Sequence, residues 1–418
     1  MIRHLFRIVW NRRRTNFLIA IEIFLSFLVL AWVVTFGVFY LDNYARPLGF
    51  AYDNVWSVRI SMHAADMELT PADKLPFEQT PAGQRARIAT LLGLLRDLPE
   101  VASATAAMNA PYSSSSWTTS VDVAGRAHEF GANEATDTFA DTMQLQVTRG
   151  RWFSSADDGA TAWRPTVVNE RLARELFGDE DPVGLTVQPD PPKIKDVEPQ
   201  PPMRIVGVIG DFRKGGELAP ADNYAFFRNN LDASVKSPRR VPRWFLVRAR
   251  PGTTAQFEEQ MIRRLQQGER DWSFRAQPLI RARATVLRSY LPSLSTSALI
   301  AAFLLVMVMM GLTGVLWQTV TQRTREIGLR RAKGATILNI QHQVLGEVLV
   351  LTSLAVAAGA LVVAQVPLLE VVGGIGGRVY AAGIAISVVC IYLLSIACAW
   401  APSRLATSMP PAEALRYE

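Results

Sequence analysis

Three short segments carry residues whose types and spacing could do chemistry. Four consecutive serines, Ser113–Ser116, could contain a nucleophile, and the acidic run Gly178–Pro182 (GDEDP) could bind a divalent cation. The segment Thr324–Thr336 (TREIGLRRAKGAT) sets basic residues and two glycines around one carboxylate, so it could bind anionic lipid or a groove in another protein. For the first two segments a solvated loop and a turn are the simpler interpretations.

The motifs that would turn such residues into a catalytic site are missing from the sequence. It contains no G-x-x-x-x-G-K-[ST] phosphate-binding loop, no H-E-x-x-H, no C-x-x-C and no G-x-S-x-G. Four histidines are spread along the chain: His4, His63, His128 and His342. We therefore expect no catalytic residue, no metal and no cofactor on this chain.

Four apolar runs dominate the hydropathy of this 418-residue sequence, in which 49% of residues are hydrophobic and the mean hydropathy is +0.13. They lie at 17–40, 289–317, 344–369 and 379–400, with a short loop at 370–378. Each run has the twenty or so residues that a helix needs to cross a hydrocarbon layer of about 30 Å. The first run is too long for a signal peptide and predicts an uncleaved anchor.

The distribution of charge predicts the orientation of these helices. The net charge is +7, but residues 41–288 contain 31 basic and 31 acidic side chains, so the excess lies beside the apolar runs. Segment 1–16 has five arginines and no acid, and segment 318–343 has five basic residues and one acid. Because Lys and Arg concentrate in cytoplasmic loops, we expect both segments and the tail 401–418 in the cytoplasm and 41–288 outside. A neutral external domain also argues against nucleic-acid binding.

The external domain reads as two β-α-β units around a middle region. The first unit, at about 53–110, predicts a strand, a helix that Thr80 caps before Pro81, and a second strand. The second, at about 240–280, repeats that order, whereas the region at about 111–240 has short alternating strands and turns. The expected fold class is an α-helical membrane protein with four transmembrane helices plus an α+β extracytoplasmic domain, in which two β-α-β units flank a mainly β subdomain.

Several smaller features leave two interpretations open. The proline-rich stretch Pro189–Pro202 predicts a hairpin tip or linker, or else a docking surface. Glu22 and Glu347 lie within apolar runs close to the cytoplasmic side, where each either reaches the membrane surface or takes part in the helix bundle. Cys390 and Cys398 share the last run and are best explained as small packing residues, because eight residues of helix separate them too far for a disulfide.

The basic segment between the second and third apolar runs has an ordered pattern. As a short helix it would place Ile327, Arg330, Arg331 and Gly334 near one face. Its glycines would let a partner backbone come close. Composition alone nevertheless favours an ordinary positively charged cytoplasmic loop.

The order of residues in this segment resembles the cytoplasmic loop motif of the MacB/FtsX-like permease family of ABC transporters. The matching positions are Arg325, Glu326, Ile327, Gly328, Arg331, Ala332, Gly334 and Ala335. Other segments resemble the family in the same order along the chain: the external VVNERLARELFGDEDPVGLTV, RIVGVIGDFR and RGRWFS, the entry RIVWNRRRTNFLIAIEI, and a closing Pro411, Ala414, Leu415, Arg416 pattern. The resemblance covers essentially the whole chain.

This resemblance implies a permease subunit in the bacterial inner (cytoplasmic) membrane with both termini in the cytoplasm. It implies a separate cytosolic ABC ATPase dimer, which carries the ATP and Mg, and a second permease copy or a paralogous permease. The residues that would couple to the ATPase are Arg325, Glu326, Ile327, Gly328, Arg331, Gly334 and Ala335. Members of this kind move their external domain instead of passing solute through the bilayer, a mode called mechanotransmission.

Two functions are compatible with this resemblance. The first is export or extrusion of a substrate from the periplasmic side, for which a periplasmic adaptor or outer-membrane protein is a further implied partner. The second is an FtsX-type regulator that controls an extracytoplasmic cell-wall hydrolase. A membrane-anchored enzyme is disfavoured, because the catalytic motifs are missing.

The predicted topology can be tested by labelling of introduced cysteines. A cysteine at Ser115 should react with an impermeant maleimide in intact spheroplasts, and one at Thr336 should react only after lysis, because the two positions are predicted on opposite sides of the membrane. The opposite labelling pattern would refute the topology.

Overall fold

In the computed structural model the chain forms two compact units, Asn43–Ser289 and Met1–Asp42 with Tyr290–Glu418. The structure describes residues 13–62, 80–123, 125–160, 162–190, 201–232, 240–253, 256–322, 329, 336–369 and 375–408. We call Asn43–Ser289 the external unit, and we call Met1–Asp42 with Tyr290–Glu418 the membrane unit.

Within the described residues, four helices are long and apolar enough to cross a membrane. They are α1 (Arg13–Ala45), α6 (Leu279–Gln322), α7 (Ile337–Leu368) and α8 (Gly377–Ser408). Each exceeds its apolar run: α1 continues five residues past position 40, and α6 begins ten residues before position 289. The predicted fold class, four transmembrane helices with an α+β domain, is confirmed.

One expectation about the second span is wrong. The family resemblance and the positions of the prolines predict that the first and second spans both continue as helix beyond the bilayer and are broken near Pro47 and Pro292, since proline removes a backbone donor and crowds the preceding turn. Instead α6 runs unbroken through Pro292 for 44 residues. The carbonyl that loses its partner belongs to Arg288, which precedes the apolar run, so water can satisfy it there. The corresponding break after the first span is confirmed, since α1 ends at Ala45, two residues before Pro47.

The external unit is built on one eleven-stranded sheet. Its path is β11-β1-β10-β2-β4-β9-β6-β8-β5, with β3 on β4 and β7 on β8. The strands are β1 (Val55–Met62), β2 (Val101–Ala107), β3 (Thr118–Val123), β4 (Arg126–Ala135), β5 (Val147–Gly150), β6 (Arg164–Asn169), β7 (Thr186–Val187), β8 (Met203–Ile209), β9 (Tyr224–Arg228), β10 (Trp244–Ala249) and β11 (Trp272–Pro278). The helices are α2 (Pro81–Arg96), α3 (Phe139–Met143), α4 (Glu170–Phe177) and α5 (Gln256–Gly268).

The two β-α-β units interleave at one end of this sheet. Antiparallel pairing joins β11 to β1, β1 to β10 and β10 to β2. The helix α2 starts as predicted, because the Thr80 side chain accepts from Gly83 N at 3.2 Å and proline occupies its first turn. The helices α2 and α5 bury their apolar stripes in one shared core, to which each contributes a fully buried side chain, Leu95 and Met261 respectively.

The middle region continues the same sheet. Only one residue pair, Ala107 with Ala135, joins β2 to β4. Beyond it the order is mixed: β4 with β9 and β6 with β8 are parallel, and β6 with β9 is antiparallel. The two expected subdomains are therefore parts of one sheet that meet at a narrow join.

An aromatic core packs beside this join. Phe226 is fully buried, with its ring 4.9 Å from that of Phe212 and 5.2 Å from that of Phe139, measured between centroids. The same core includes Phe50, Leu246 and Leu279, which come from distant parts of the chain. It therefore joins the start and the end of the external unit to the middle of the sheet.

Replacing Phe226 by alanine should lower the free energy of unfolding of the external unit by about 3–5 kcal/mol, because a buried ring leaves a cavity among other rings. The matched control is Val183→Ala, at a side chain that is 37% exposed. This variant should change the free energy of unfolding by about 0.5 kcal/mol or less. Denaturant unfolding of the purified full-length chain, followed by tryptophan fluorescence, measures both. Equal midpoints for the two variants would contradict this assignment of the core.

Candidate functional site

The segment predicted to couple to an ATPase is bounded by two helix ends. The helix α6 ends at Gln322 and α7 begins at Ile337, where the Thr336 side chain caps the helix by accepting from Asn339 N at 3.3 Å. The predicted coupling residues lie between these ends and outside the described residues: Arg325, Glu326, Ile327, Gly328, Arg331, Gly334 and Ala335. Their coupling role stays a prediction.

Within the membrane unit, α1 lies against all three other helices. Its fully buried Ile23, Phe27 and Ala31 repeat every four residues, so they form one stripe. This stripe packs in one cluster with side chains of the other helices, among them Leu312 of α6 and Ile391 of α8. One face of the first span therefore contacts side chains of the other three helices.

Each of these contacts includes a glycine on the partner helix. A Cβ at Gly359 of α7 would lie 2.5 Å from the Phe27 ring, and one at Gly383 of α8 would meet the Thr35 side chain. A Cβ at Gly311 of α6 would meet the carboxylate of Glu22. Small residues let membrane helices approach closely, which matters where lipid gives them no hydrophobic drive to associate. The contact with Gly311 places the Glu22 carboxylate against α6, which fits the interpretation that it takes part in the helix bundle.

Hydroxyl groups join the third and fourth spans. Thr352 Oγ1 donates to Ser395 Oγ at 3.0 Å, and Ser353 Oγ lies 2.6 Å from the Tyr392 hydroxyl. Such bonds between membrane helices contribute about 0.6 kcal/mol each. Cys398, on the same helix as Ser395, is buried and free, as expected of a packing residue, whereas Cys390 is exposed.

Two of the four consecutive serines of the external unit, Ser113 and Ser115, form hydrogen bonds near their own loop. Ser113 Oγ donates to the Ala110 carbonyl at 2.6 Å, and Ser115 Oγ donates to Asn109 Oδ1 at 2.8 Å. Lys214 Nζ donates to the Ser115 carbonyl, and burial lowers the pKa of this lysine to about 8. The loop interpretation of the serines fits these bonds, which join the segment to the Ala110 carbonyl, the Asn109 side chain and Lys214.

The other candidates for chemistry also have structural roles. The acidic run begins at Gly178, the C-terminal cap of α4, and Asp181 Oδ1 accepts from Val183 N at 3.3 Å. His128 Nδ1 lies 2.8 Å from Glu175 Oε1, and this bond lowers the pKa of Glu175. Across the described residues no group of three or more His, Cys, Asp or Glu side chains could hold a metal ion.

One residue that sequence reasoning missed is Arg213. Its side chain is 2% exposed and donates to four backbone carbonyls: those of Asn43, Arg46, Glu217 and Ala219. The sequence shows it only as the last residue of RIVGVIGDFR. Arginine is seldom fully buried, and the carbonyls that hold Arg213 come partly from residues 170 positions away, so no local signal could have found it.

In the comparison with known proteins, two family models match the chain. Residues 17–264 match a family model described as the MacB-like periplasmic core domain, and residues 298–411 match one described as the FtsX-like permease C-terminal.

Curated relatives align with about two thirds of the chain. The Pyoverdine export ATP-binding/permease protein PvdT of Pseudomonas aeruginosa is 25% identical over 69% of this chain and 42% of its own length. The Macrolide export ATP-binding/permease protein MacB of Bdellovibrio bacteriovorus is 29% identical over 64% of this chain and 41% of its own length. The chain thus spans about two fifths of the length of the curated relatives it matches.

In the comparison with solved structures, external domains match part of the chain. The periplasmic region of MacB from Actinobacillus actinomycetemcomitans is 15% identical with a TM-score of 0.36, covering 57% of this chain and 94% of that one. The extracellular domain of the noncanonic ABC-type transporter YknZ from Gram-positive bacteria is 14% identical with a TM-score of 0.33, covering 53% and 100%.

The two family models together span most of the chain, in the order external domain and then membrane helices that the fold shows. The chain belongs to the MacB/FtsX-like family of ABC transporter permeases.

Proposed function

We propose that this chain is a permease subunit that turns ATP hydrolysis by a separate cytosolic ATPase dimer into movement of its external domain. The observation that carries the proposal is the continuity of α6. This helix starts at Leu279, directly after the edge strand β11, and ends at Gln322, where the coupling segment follows. A rigid helix is suited to carry a displacement from one end to the other.

Packing within the membrane unit supports the same mechanism. The helix α1 contacts each of the other three at a glycine, where there is no room for a Cβ atom. Packed interfaces of this kind change between discrete arrangements and deform little. A displacement of one helix is therefore passed to its neighbours.

The remaining parts of the proposal concern location and partners. We place the protein in the inner (cytoplasmic) membrane, with both termini and the coupling segment in the cytoplasm. It would work with a second permease, identical or paralogous, and a periplasmic adaptor or outer-membrane partner would receive an exported substrate. Relatives named for pyoverdine and macrolide export support a role in extrusion from the periplasmic side.

The composition of the coupling segment favours a protein groove over lipid as its binding partner. Anionic lipid attracts basic residues at about 1 kcal/mol per charge but requires no residue order. It gives no reason for Glu326, which weakens that attraction, or for Gly328 and Gly334, which cost about 1 kcal/mol each in helix propensity. A groove in the ATPase explains both the carboxylate and the glycines, because Glu326 can pair with a cation there and the glycines permit close packing.

Replacing Glu326 by lysine should abolish coupling, because it puts a cation where the ATPase would supply one. ATPase co-purification and ATPase activity should fall to about a tenth or less, the effect of losing about 1.4 kcal/mol. The matched control changes both Arg330 and Arg331 to glutamine, which removes two charges and should do less harm. A fully active Glu326→Lys complex with an inactive double-glutamine variant would favour the lipid interpretation.

The purified chain should not hydrolyse ATP, since it lacks a phosphate-cradling loop. Adding the cognate ATPase should restore hydrolysis, with Mg and ATP bound on that partner. Stoichiometric nucleotide binding by the purified chain alone would contradict this division of labour.

A further inference from the structure

A loop after β8 holds the last turn of the first membrane helix. Arg213 N–H donates to the Leu48 carbonyl at 3.0 Å, and Arg213 Nη1 donates to the carbonyls of Asn43 at 2.6 Å and Arg46 at 3.3 Å. Carbonyls at a helix C-terminus have no partner within the helix and carry partial negative charge. The Arg213 guanidinium therefore caps α1 from a part of the chain about 170 residues away.

The same loop holds the first turns of α6. Arg213 Nη2 donates to the carbonyls of Glu217 at 2.5 Å and Ala219 at 2.6 Å, so it also fixes the shape of the loop. The Glu217 carboxylate, itself 5% exposed, pairs with Nε of Arg283 in the second turn of α6. One short loop thus joins the end of α1 to the start of α6 by charged hydrogen bonds, which are the stronger kind.

Close backbone contacts leave this loop little room to move by itself. Gly49 has φ +81°, and a Cβ there would lie 2.7 Å from the Asp211 carbonyl carbon. Gly216 has φ +93°, and a Cβ there would lie 2.7 Å from the Tyr112 ring. Such conformations favour glycine, and the contacts pack the loop closely against the backbone at Gly49 and against the Tyr112 ring.

Within the part of the chain that the structure describes, two buried side-chain nitrogens at this junction, Asn43 Nδ2 and Arg213 Nε, have no hydrogen-bond partner. Unpaired buried polar groups are costly and rare, so their presence calls for a physical reason. Both nitrogens can donate and the buried Glu217 carboxylate can accept, so the junction holds the groups needed to exchange partners if the helices shift. Such an exchange is what a two-state element requires.

We propose that Arg213 and Glu217 form a latch that couples the ends of α1 and α6 to each other and to the sheet. The inference rests on the proposed function and identifies the positioning residues through which helix movement reaches the external domain. If the hydrogen bonds of the latch are removed, we expect the helices still to move with the ATPase while the sheet no longer moves with them.

Hydrogen exchange of the full-length chain without ATPase tests the latch separately from the proposed function. Arg213→Gln should speed exchange of amides at 44–50 and 283–288 by about tenfold or more. Arg283→Gln should speed exchange only at 283–288, because the link from Arg213 to α1 persists. The matched control is Arg228→Gln, at another buried arginine, which pairs with Asp137 and Asp158 within the external unit; it should change neither segment. An unchanged rate in Arg213→Gln at either segment would overturn the latch.

Spin labels test whether the latch transmits movement. Labels at the exposed positions Ala45 and Arg263 report the distance between the end of α1 and helix α5 on the sheet. In the ATPase complex this distance should change on ATP binding. The change should fall by at least half in Arg213→Gln, while ATP hydrolysis persists, and should be partly restored in Arg213→Lys.

The outcomes of this second experiment are distinct. An undiminished distance change in Arg213→Gln would overturn the coupling role of the latch. No distance change in the unmodified complex would overturn the proposed function and that coupling role together, while hydrogen exchange would still decide whether the latch joins the two helix ends. Arg228→Gln should keep the distance change, which distinguishes coupling from a general loss of stability.

Discussion

Every backbone polar group that crosses the hydrocarbon must find its partner within the protein, and this constraint determines most of the architecture. It requires each apolar run to be a continuous helix. A 44-residue helix such as α6 is about 66 Å long at 1.5 Å per residue, more than twice the hydrocarbon thickness. The excess length has to lie outside the membrane, and its first turns form part of the external core through Leu279 and Ala282. A span and an external element are thus one piece of secondary structure.

Association of the helices with one another depends on shape, because lipid surrounds them with material as apolar as their own side chains. The glycines at Gly311, Gly359 and Gly383 let the other three helices approach α1 so closely that a methyl group would not fit. Hydroxyl pairs add directional contacts between α7 and α8. The bundle is therefore held by contacts that tolerate little sliding, as transmission of movement would require.

The external unit is stabilised in a different way. It contains no cysteine, so its sheet is stabilised by burial in three apolar clusters. Two of its buried arginines pair with carboxylates: Arg164 with Glu134, and Arg228 with Asp137 and Asp158. Arg213 departs from this pattern because backbone carbonyls hold its guanidinium. Burial lowers the pKa of Arg213, with the nearby Arg46 adding to the effect, and the four carbonyls compensate for the water it has lost.

The positions of the membrane helices and of the start of α2 could be predicted from the sequence, because neighbouring residues determine them. Apolar length determined the four spans, and Thr80 with Pro81 determined where α2 begins. The continuity of α6 through Pro292 was not predicted, because whether the carbonyl that proline leaves unpaired finds another partner depends on its surroundings and not on the local sequence. The sequence also could not show that all eleven strands form one sheet, since the single pair Ala107–Ala135 that joins the two parts depends on residues 28 positions apart. Nor could it place Glu22 against Gly311 or Arg213 under the end of α1, because hydrogen bonding and close packing depend on which atoms the fold brings within 3 or 4 Å, and that distance is decided only when distant segments meet.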